Sequence, residues 1–267
     1  MTGTLHVVDR GSGPAVVLLH AFPCAGAMWE PQAARLVDAG FRVLVPDLPG
    51  FGASTLPEVE PSLDAVAATL IAMIDEREAG PCILGGVSLG GYLAMAILRA
   101  RPDLARALVL CGTKASADGD EARASRERLA RMVTDAPDDT GRILEQAVLP
   151  GLLGETTRDS RPAVVEQVRG WLQDARPESV AWYQRAMARR PDSGPVLAGL
   201  AAPALVVWGV EDALSPRAEQ DLMLERLATS ELAVVEGAGH LAGVERPDAV
   251  AEAVGRFAEQ VRDRRPS

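Results

Sequence analysis

The sequence predicts an α/β fold in which helices cover both faces of a mostly parallel, doubly wound sheet. Short apolar runs rich in β-branched residues alternate with longer segments of helical periodicity, which is typical of βαβ units. The runs are apolar throughout, as expected of strands that are covered on both faces. With 267 residues, 48% of them apolar, the chain can also bury a large core.

Six of these runs predict parallel strands, at 15–19, 42–46, 82–87, 107–111, 204–208 and 232–235. A seventh, short run near the N-terminus predicts an antiparallel edge strand at 5–9. Helical periodicity predicts helices at 29–39, 63–78, 89–101, 216–227 and 246–262. We expect Ser215 to cap the helix that begins at Pro216, because proline suits the first position of a helix.

One long stretch interrupts the alternation. Residues 114–195 carry no strand pattern and instead predict helices at 120–134, 141–148, 161–174 and 177–189, with loops such as 149–151 between them. We therefore expect a core formed by residues 1–113 and 196–267, with a helical cap at 114–195 inserted between two core strands. Small and polar residues at 118–120 and 193–195 predict hinge-like connections to that cap.

Charge and cysteine content exclude several classes of function. A net charge of −10 without a clustered basic patch argues against nucleic-acid binding, because phosphate contacts need grouped cations. The three cysteines are far apart and share no ligand spacing, so neither a disulfide scaffold nor a metal site is predicted. The sequence shows no signal peptide and no apolar run long enough to span a membrane, so we expect a soluble, cytoplasmic protein.

The strongest chemical signal is the sequence GVSLG at residues 86–90, between a predicted strand and a predicted helix. A G-x-S-x-G pattern in a sharp strand–turn–helix forms a nucleophile elbow, which exposes the serine at the carboxyl end of the sheet. Glycines suit this turn because it is tight and neighbouring segments pack closely against it. Ser88 is therefore the candidate nucleophile, and an inert serine in a glycine-rich turn is the alternative.

A nucleophilic serine needs a base, and the base needs a carboxylate that orients it. Of the three histidines, His240 alone follows a late predicted strand, whereas His6 and His20 belong to early strands. Asp212 follows the predicted strand at 204–208 and is the candidate acid, with its neighbour Glu211 as the rival. The chain order is then nucleophile, acid and base.

Backbone donors and a structural loop complete the expected site. The oxyanion of a tetrahedral intermediate needs backbone N–H groups, which we expect from Leu89, directly after the nucleophile, and from Phe22, after the first parallel strand. Asp47 also lies at a strand end, but it opens a tight glycine-containing loop and is interpreted as structural. None of these residues implies a metal or an organic cofactor.

These motifs resemble those of the α/β-hydrolase superfamily along essentially the whole chain. The sequence HAFP at 20–23 is similar to the superfamily's HG-x-P oxyanion motif, with Ala21 at the usual glycine, and residues 47–54 are similar to its D-x-x-G-x-G-x-S loop. Ser88, Asp212 and His240 fall at its triad positions. The helical insertion lies where the superfamily carries its cap, whereas the first of the usual eight strands has no counterpart.

Within the superfamily, WEPQ at 29–32 and the compact cap resemble 3-oxoadipate enol-lactonase-like hydrolases, small esterases and cofactor-free haloperoxidases. The epoxide hydrolase and haloalkane dehalogenase branches use an aspartate nucleophile, against which Ser88 argues. The resemblance implies a serine hydrolase that cleaves a small carboxylic ester or lactone through an acyl-enzyme. A carbon–carbon bond hydrolase, a perhydrolase and a non-catalytic binding module are the alternatives.

The cap is expected to set substrate preference by covering the nucleophile and excluding water. Its large apolar side chains are the candidate pocket residues: Met132, Trp171, Trp182, Tyr183 and Met187. We expect replacement of Trp182 or Tyr183 to change substrate preference more than chemistry. The implied partner is a small-molecule ester or lactone, and a homo-oligomer is left open.

Overall fold

The computed structural model describes residues 4–263 and contains a seven-stranded sheet with the spatial order β1-β3-β2-β4-β5-β6-β7. Only β1 is antiparallel to its neighbour β3, and all other neighbouring strands are parallel. The strands are β1 (Val7–Arg10), β2 (Ala15–Leu19), β3 (Arg42–Pro46), β4 (Cys82–Val87), β5 (Ala105–Cys111), β6 (Ala204–Gly209) and β7 (Ser230–Val235). The predicted fold class is confirmed, and all seven predicted strands are present with ends that differ by at most two residues.

Helices from the N- and C-terminal parts of the chain cover the sheet. α1 packs with α13, and α2 packs with α3. Within residues 4–263 no helix combines the length and the apolar character that a bilayer crossing requires. These helices are α1 (Glu30–Asp38), α2 (Leu63–Glu76), α3 (Leu89–Ala100), α11 (Arg217–Arg226), α12 (Ala242–Glu245) and α13 (Pro247–Asp263).

Seven further helices lie between β5 and β6, where the sequence predicts the cap. α4 packs along α9, and α5 packs along α8. The predicted boundary at residue 195 falls inside α10, which packs against α3 and α11 of the predicted core. The division into core and cap stays a prediction. The seven helices are α4 (Asp120–Asp135), α5 (Thr140–Ala147), α6 (Leu149–Leu152), α7 (Glu155–Ser160), α8 (Pro162–Gln173), α9 (Pro177–Ala188) and α10 (Gly194–Ala198).

Local differences from the predicted elements have simple causes. α6, at the predicted loop 149–151, and α7, α10 and α12 are one or two turns long, too short to show an apolar period in the sequence. The prediction that Ser215 is the N-cap residue of α11 is wrong. Pro216 is extended (φ −65°, ψ 165°) and itself occupies the N-cap position. The N–H of Ser215 instead donates to the side chain of Asp212.

Both ends of α9 are tied to the sheet side of the molecule. Near its beginning, Ser179 Oγ donates to the carbonyl oxygen of Gly50 over 2.7 Å, in the loop after β3. Just after its end, Arg190 Nη2 donates to the carbonyl oxygen of Ser116 over 2.9 Å. Asp118, in the predicted hinge, is buried in ion pairs, so this connection is anchored rather than loose.

Candidate active site

The predicted site residues follow the carboxyl ends of four parallel strands. Ser88 comes directly after β4, Phe22 after β2, Asp212 after β6 and His240 after β7. In an open parallel sheet these strand ends meet at one edge, where ligands bind. A cavity of about 460 Å³ opens at this edge, and Phe22, Ser88 and His240 all line it.

The backbone at Ser88 has the strained geometry of a nucleophile elbow. Its φ of 53° and ψ of −111° fall in a region that residues other than glycine rarely adopt. Three hydrogen bonds hold it there: its N–H donates to the carbonyl oxygen of Cys111, and its carbonyl oxygen accepts from Thr113 Oγ1 and the N–H of Tyr92. The Ser88 side chain does not cap α3, which leaves it to face the cavity.

Two glycines around Ser88 are required by close approach of other backbone segments. A Cβ on Gly86 would lie 2.2 Å from the carbonyl carbon of Gly90. A Cβ on Gly90 would lie 2.1 Å from the carbonyl oxygen of Leu19 at the end of β2. Real Cβ atoms do not come so close, so a side chain at Gly86 would push away the beginning of α3, and one at Gly90 would displace the elbow from β2.

His240 and Asp212 form a buried pair beside the cavity. The Nδ1 atom of His240 lies 3.0 Å from both carboxylate oxygens of Asp212, and both side chains are almost fully buried. Asp212 Oδ1 also accepts from the N–H groups of Leu214 and Ser215, at 2.9 Å each. A carboxylate that accepts at Nδ1 fixes the neutral imidazole with its proton there, which leaves Nε2 as a proton acceptor.

In the part of the chain that the structure describes, residues 4–263, the ring of His240 forms hydrogen bonds with Asp212 and none with Ser88. Hydrogen bonds between such groups are often long in the absence of substrate. The rival acid, Glu211, is directed away from the imidazole, because its carboxylate accepts from the N–H and the hydroxyl of Thr156. The structure therefore brings Asp212 rather than Glu211 to His240.

The other two histidines support the loops near the site. His20 is fully buried; its Nδ1 lies 2.8 Å from the carbonyl oxygen of Ala21, and its Nε2 accepts from the N–H of Leu48 over 2.8 Å. Burial lowers the pKa of His20 to about 4, so the ring is neutral near pH 7. His6 is half-exposed and contacts Asp47 Oδ2 over 3.0 Å.

Asp47 organises the turn that it opens. Its carboxylate accepts from the N–H of Gly26 over 2.8 Å and from the N–H of Ala53 over 3.0 Å. Its own carbonyl oxygen accepts from Ser54 Oγ over 2.7 Å. These bonds hold Asp47 in its own loop and join that loop to the segment after β2, in agreement with its interpretation as a structural residue.

The two predicted oxyanion donors belong to the residue directly after Ser88 and to a residue that lines the same cavity. Leu89 is the first residue of α3, so its N–H has no carbonyl oxygen one turn earlier in the helix. Phe22 lines the cavity, and its ring packs against Phe51 with ring centroids 5.9 Å apart. The role of these two N–H groups stays a prediction.

A buried carboxylate that the sequence analysis does not identify supports the His240 loop. Glu245 is fully buried in α12 and accepts from the N–H of Gly239 over 2.8 Å and from the N–H of Gly154 over 2.9 Å. Burial raises its pKa above the ordinary value, against the lowering effect of these backbone hydrogen bonds. Glu245 therefore joins the residue before His240 to the residue before α7.

Only two of the five predicted pocket residues line the cavity with Ser88. Met132 and Met187 do so. Trp171 instead lines a separate cavity of about 300 Å³. Trp182 donates from Nε1 to the carbonyl oxygen of Val59 over 2.9 Å, and Tyr183 is buried. The sequence shows that these aromatic residues lie on helices, but which cavity or core each side chain reaches depends on how α8 and α9 pack.

The cavity also has charged side chains that were not predicted from the sequence: Lys114, Asp118, Arg126 and Arg128. Two sequence signals could have identified Lys114. It follows the end of β5 by three residues, as Phe22 follows β2. It is also the only lysine among the 27 basic residues of the chain.

Comparison with known proteins identifies the family. The model of the alpha/beta hydrolase family matches residues 16–253. The chain belongs to this family. A pimeloyl-[acyl-carrier protein] methyl ester esterase of Aeromonas hydrophila subsp. hydrophila is 31% identical over 260 residues, which cover 94% of this hydrolase and 98% of the relative.

Solved structures agree with this assignment. A thermophilic esterase from Thermogutta terrifontis, with malate bound, is 37% identical to this hydrolase with a TM-score of 0.92, covering 97% of this chain and 94% of that one. The enol-lactonase from Burkholderia xenovorans LB400 is 25% identical with a TM-score of 0.86, covering 96% of each chain. The expected resemblance is confirmed, and the protein is a hydrolase that acts on ester bonds.

Proposed function

We propose that this hydrolase cleaves a small carboxylic ester or lactone through an acyl-enzyme formed on Ser88. The observation that carries the proposal is the buried His240–Asp212 pair on the cavity that Ser88 also lines. A hydroxyl, an imidazole and a carboxylate in this chain order are the parts that acyl transfer needs. The similarity to an esterase and an enol-lactonase supports the class of substrate.

In the proposed acylation step, Ser88 Oγ attacks the carbonyl carbon while its proton moves to Nε2 of His240. Asp212 stabilises the resulting imidazolium through Nδ1 and does not itself take the proton. The carbonyl oxygen becomes an oxyanion that accepts hydrogen bonds from the N–H groups of Phe22 and Leu89. His240 then donates the proton to the leaving alkoxide as the carbon–oxygen bond breaks.

In the proposed deacylation step, a water molecule attacks the acyl carbon and gives its proton to His240. The proton then returns to Ser88 Oγ, which leaves as the tetrahedral intermediate collapses. An open-chain ester yields an acid and an alcohol, whereas a lactone yields a single hydroxy acid because its alkoxide stays attached to the acyl chain.

We further propose that residues 114–195 act as a cap over Ser88. Side chains from α4, α5, α6 and α9 complete the wall of the cavity, which supports this role. Excluding water from such a site strengthens the hydrogen bonds and charges that act on the acyl group. Those side chains are Ala122, Ser125, Arg126, Arg128, Leu129, Met132, Ala147, Leu152, Gln184 and Met187.

Labelling with a fluorophosphonate probe tests the nucleophile, and a panel of short esters, a lactone and a vinylogous diketone tests the reaction. We expect one adduct, on the peptide that contains Ser88, together with turnover of esters or the lactone. Ser88→Ala should lose the adduct, whereas Ser125→Ala, which removes another serine of the same cavity, should keep it. An adduct that persists in Ser88→Ala, or cleavage of the diketone alone, would overturn the proposal.

A further inference from the structure

We propose that the cavity contains an anion subsite, formed by Lys114 with Arg126 beside it, that binds a free carboxylate of the substrate. This inference rests on the proposed function, which supplies the cleavage of the ester bond, and it adds which class of ester is cleaved. The substrate would be an ester or lactone that carries a second, ionised acid group. The subsite follows from the position of Lys114, the ion pairs around Asp118 and the apolar remainder of the cavity lining.

Lys114 occupies a defined position beside the nucleophile elbow. It lines the cavity three residues after the end of β5. The preceding residue, Thr113, donates from Oγ1 to the carbonyl oxygen of Ser88 over 2.9 Å, which fixes the backbone there. Every other basic residue of the chain, 26 of 27, is arginine. The single lysine side chain of the sequence thus lines the same cavity as the proposed nucleophile.

Lys114 shares one carboxylate, that of Asp118, with two other cations. Asp118 is buried and forms ion pairs with Arg126 Nε and with Arg190 Nη1, the latter at 2.8 Å but outside hydrogen-bond angles. Burial alone would raise the pKa of Asp118, yet the hydrogen bond from Arg126 and the positive charges of Arg126 and Arg190 hold that pKa below its ordinary value. One ionised carboxylate therefore faces three cations, counting Lys114.

These three cations differ in how fully protein groups already use them. Arg190 is buried, donates to the carbonyl oxygens of Met187 and Ser116, and stacks over the ring of Tyr92 at 4.0 Å. Arg126 donates through Nε and Nη1, and these contacts do not involve Nη2.

Lys114 is the least engaged of the three. Within residues 4–263 its one ion pair is long, 3.9 Å from Nζ to Asp118 Oδ1, beyond hydrogen-bond distance. Its side chain keeps 21% of its surface exposed, and that of Arg126 keeps 19%. The ammonium group of Lys114 is therefore available to an anion in the cavity.

The remainder of the wall is mostly apolar and suits a short carbon chain. An ammonium group on the edge of such a partly enclosed cavity attracts an anion more strongly than it would in open water. A ligand that matches both features has a short methylene segment that ends in a carboxylate. The apolar lining comprises Phe22, Leu129, Met132, Val148, Leu152, Met187 and Leu214.

A pair of matched esters tests the subsite by kinetics. Monomethyl adipate carries the terminal carboxylate, and methyl 5-carbamoylpentanoate replaces it with a neutral carboxamide of nearly the same shape. A second pair, 4-acetoxybutyrate and 4-acetoxybutyramide, places the same groups on the alcohol half. We expect kcat/KM to be about tenfold or more higher for the carboxylate than for the carboxamide in at least one pair. The pair that shows this difference tells whether the acid group belongs to the acyl half or to the alcohol half of the substrate.

Variants assign the preference to Lys114. Lys114→Gln should reduce the preference for the carboxylate by roughly 10- to 100-fold, mainly through KM, because it removes a charge-assisted hydrogen bond. Lys114→Arg should retain most of it. Arg131→Gln removes an exposed cation from α4 that does not line the cavity, and it should leave both esters of each pair unchanged. Equal losses on charged and neutral esters in Lys114→Gln would overturn the subsite.

Direct binding separates the subsite from the proposed chemistry. Because Lys114 is the only lysine, reductive methylation with ¹³C-formaldehyde labels one side chain in addition to the α-amino group. In Ser88→Ala, adipate should shift the Lys114 signal saturably, whereas adipamide should not. A shift without ester hydrolysis by the unmodified enzyme would leave the subsite standing and the proposed function wrong. Hydrolysis with neither preference nor shift would overturn the subsite alone.

Discussion

The carboxyl edge of the sheet and the helical insertion place their side chains in different ways. At the edge, Ser88 comes directly after a strand, and Asp212 and His240 follow strands by only a few residues, so the strand ends determine where they lie. In the insertion, side chains reach the cavity only through the packing of several helices on one another. Reactive groups are thus predictable from local sequence, whereas the groups that surround a substrate depend on tertiary structure.

The aromatic residues of the insertion illustrate the difference. Tyr183 packs against Phe51 with ring centroids 4.9 Å apart, and Trp182 packs against Tyr183 at 5.0 Å. Phe51 in turn contacts the ring of Phe22 on the cavity wall. These aromatics therefore support Phe22 from behind, which contradicts their predicted place in the pocket.

The largest effect is expected at the sheet edge. Ser88→Ala should lower kcat for an ester by on the order of 10⁴–10⁶ while the protein stays folded, because the change removes one oxygen from the cavity wall and no core volume. Steady-state kinetics with circular dichroism would measure both. Ser160→Ala, the same change on the exposed surface of α7, should match the unmodified enzyme. Activity of Ser88→Ala within about tenfold of the unmodified enzyme would contradict the assignment.

The second prediction compares two adjacent acids at the end of β6. Asp212→Asn should lower kcat by roughly 10⁴, because the amide cannot stabilise a protonated His240. Glu211→Gln should have a much smaller effect, because that carboxylate binds Thr156 instead. If the kinetics show the reverse order, Glu211 is the functional acid.

The third prediction concerns stability in acid. The pKa of His20 is about 4 in the folded protein and near 6.5 when the chain is unfolded, so only the unfolded state takes up a proton between these values. Unfolding free energy should therefore fall as pH drops from about 6.5 to 4, by on the order of 3 kcal/mol. Denaturant titrations would show this loss reduced in His20→Asn and kept in His6→Asn, which changes a half-exposed histidine. An unchanged loss in His20→Asn would contradict it.

The smallest effect should appear in the insertion. Met187→Ala enlarges the cavity next to the proposed acyl site and should shift the preference among acyl lengths by about tenfold. Trp171→Ala changes a larger side chain that lines a different cavity, and it should shift that preference by about twofold at most. A profile of kcat/KM against acyl length measures both. A larger shift in Trp171→Ala would mean that the two cavities communicate.

The fold was predictable because buried strands leave short apolar runs in the sequence and long helices leave an apolar period. The positions of Ser88, Asp212 and His240 were predictable for a related reason. A residue that follows a strand by a few positions lies at the carboxyl edge of the sheet, however the distant parts of the chain pack. Glu245 left no such signal, because its partners, the N–H groups of Gly239 and Gly154, come from two separate loops. The charged side of the cavity likewise depends on how α4 packs along α9, which brings Arg126 to Asp118.

Identifying the residue that carries the acyl group during turnover tests the proposed nucleophile most directly. The enzyme would be quenched in acid while it hydrolyses p-nitrophenyl butyrate, digested and mapped by mass spectrometry. We predict a butyryl group on the peptide that contains Ser88, with an initial burst of p-nitrophenolate where deacylation is slower than acylation. A butyryl group on any other residue, or ester hydrolysis by Ser88→Ala at the rate of the unmodified enzyme, would contradict an acyl-enzyme on Ser88.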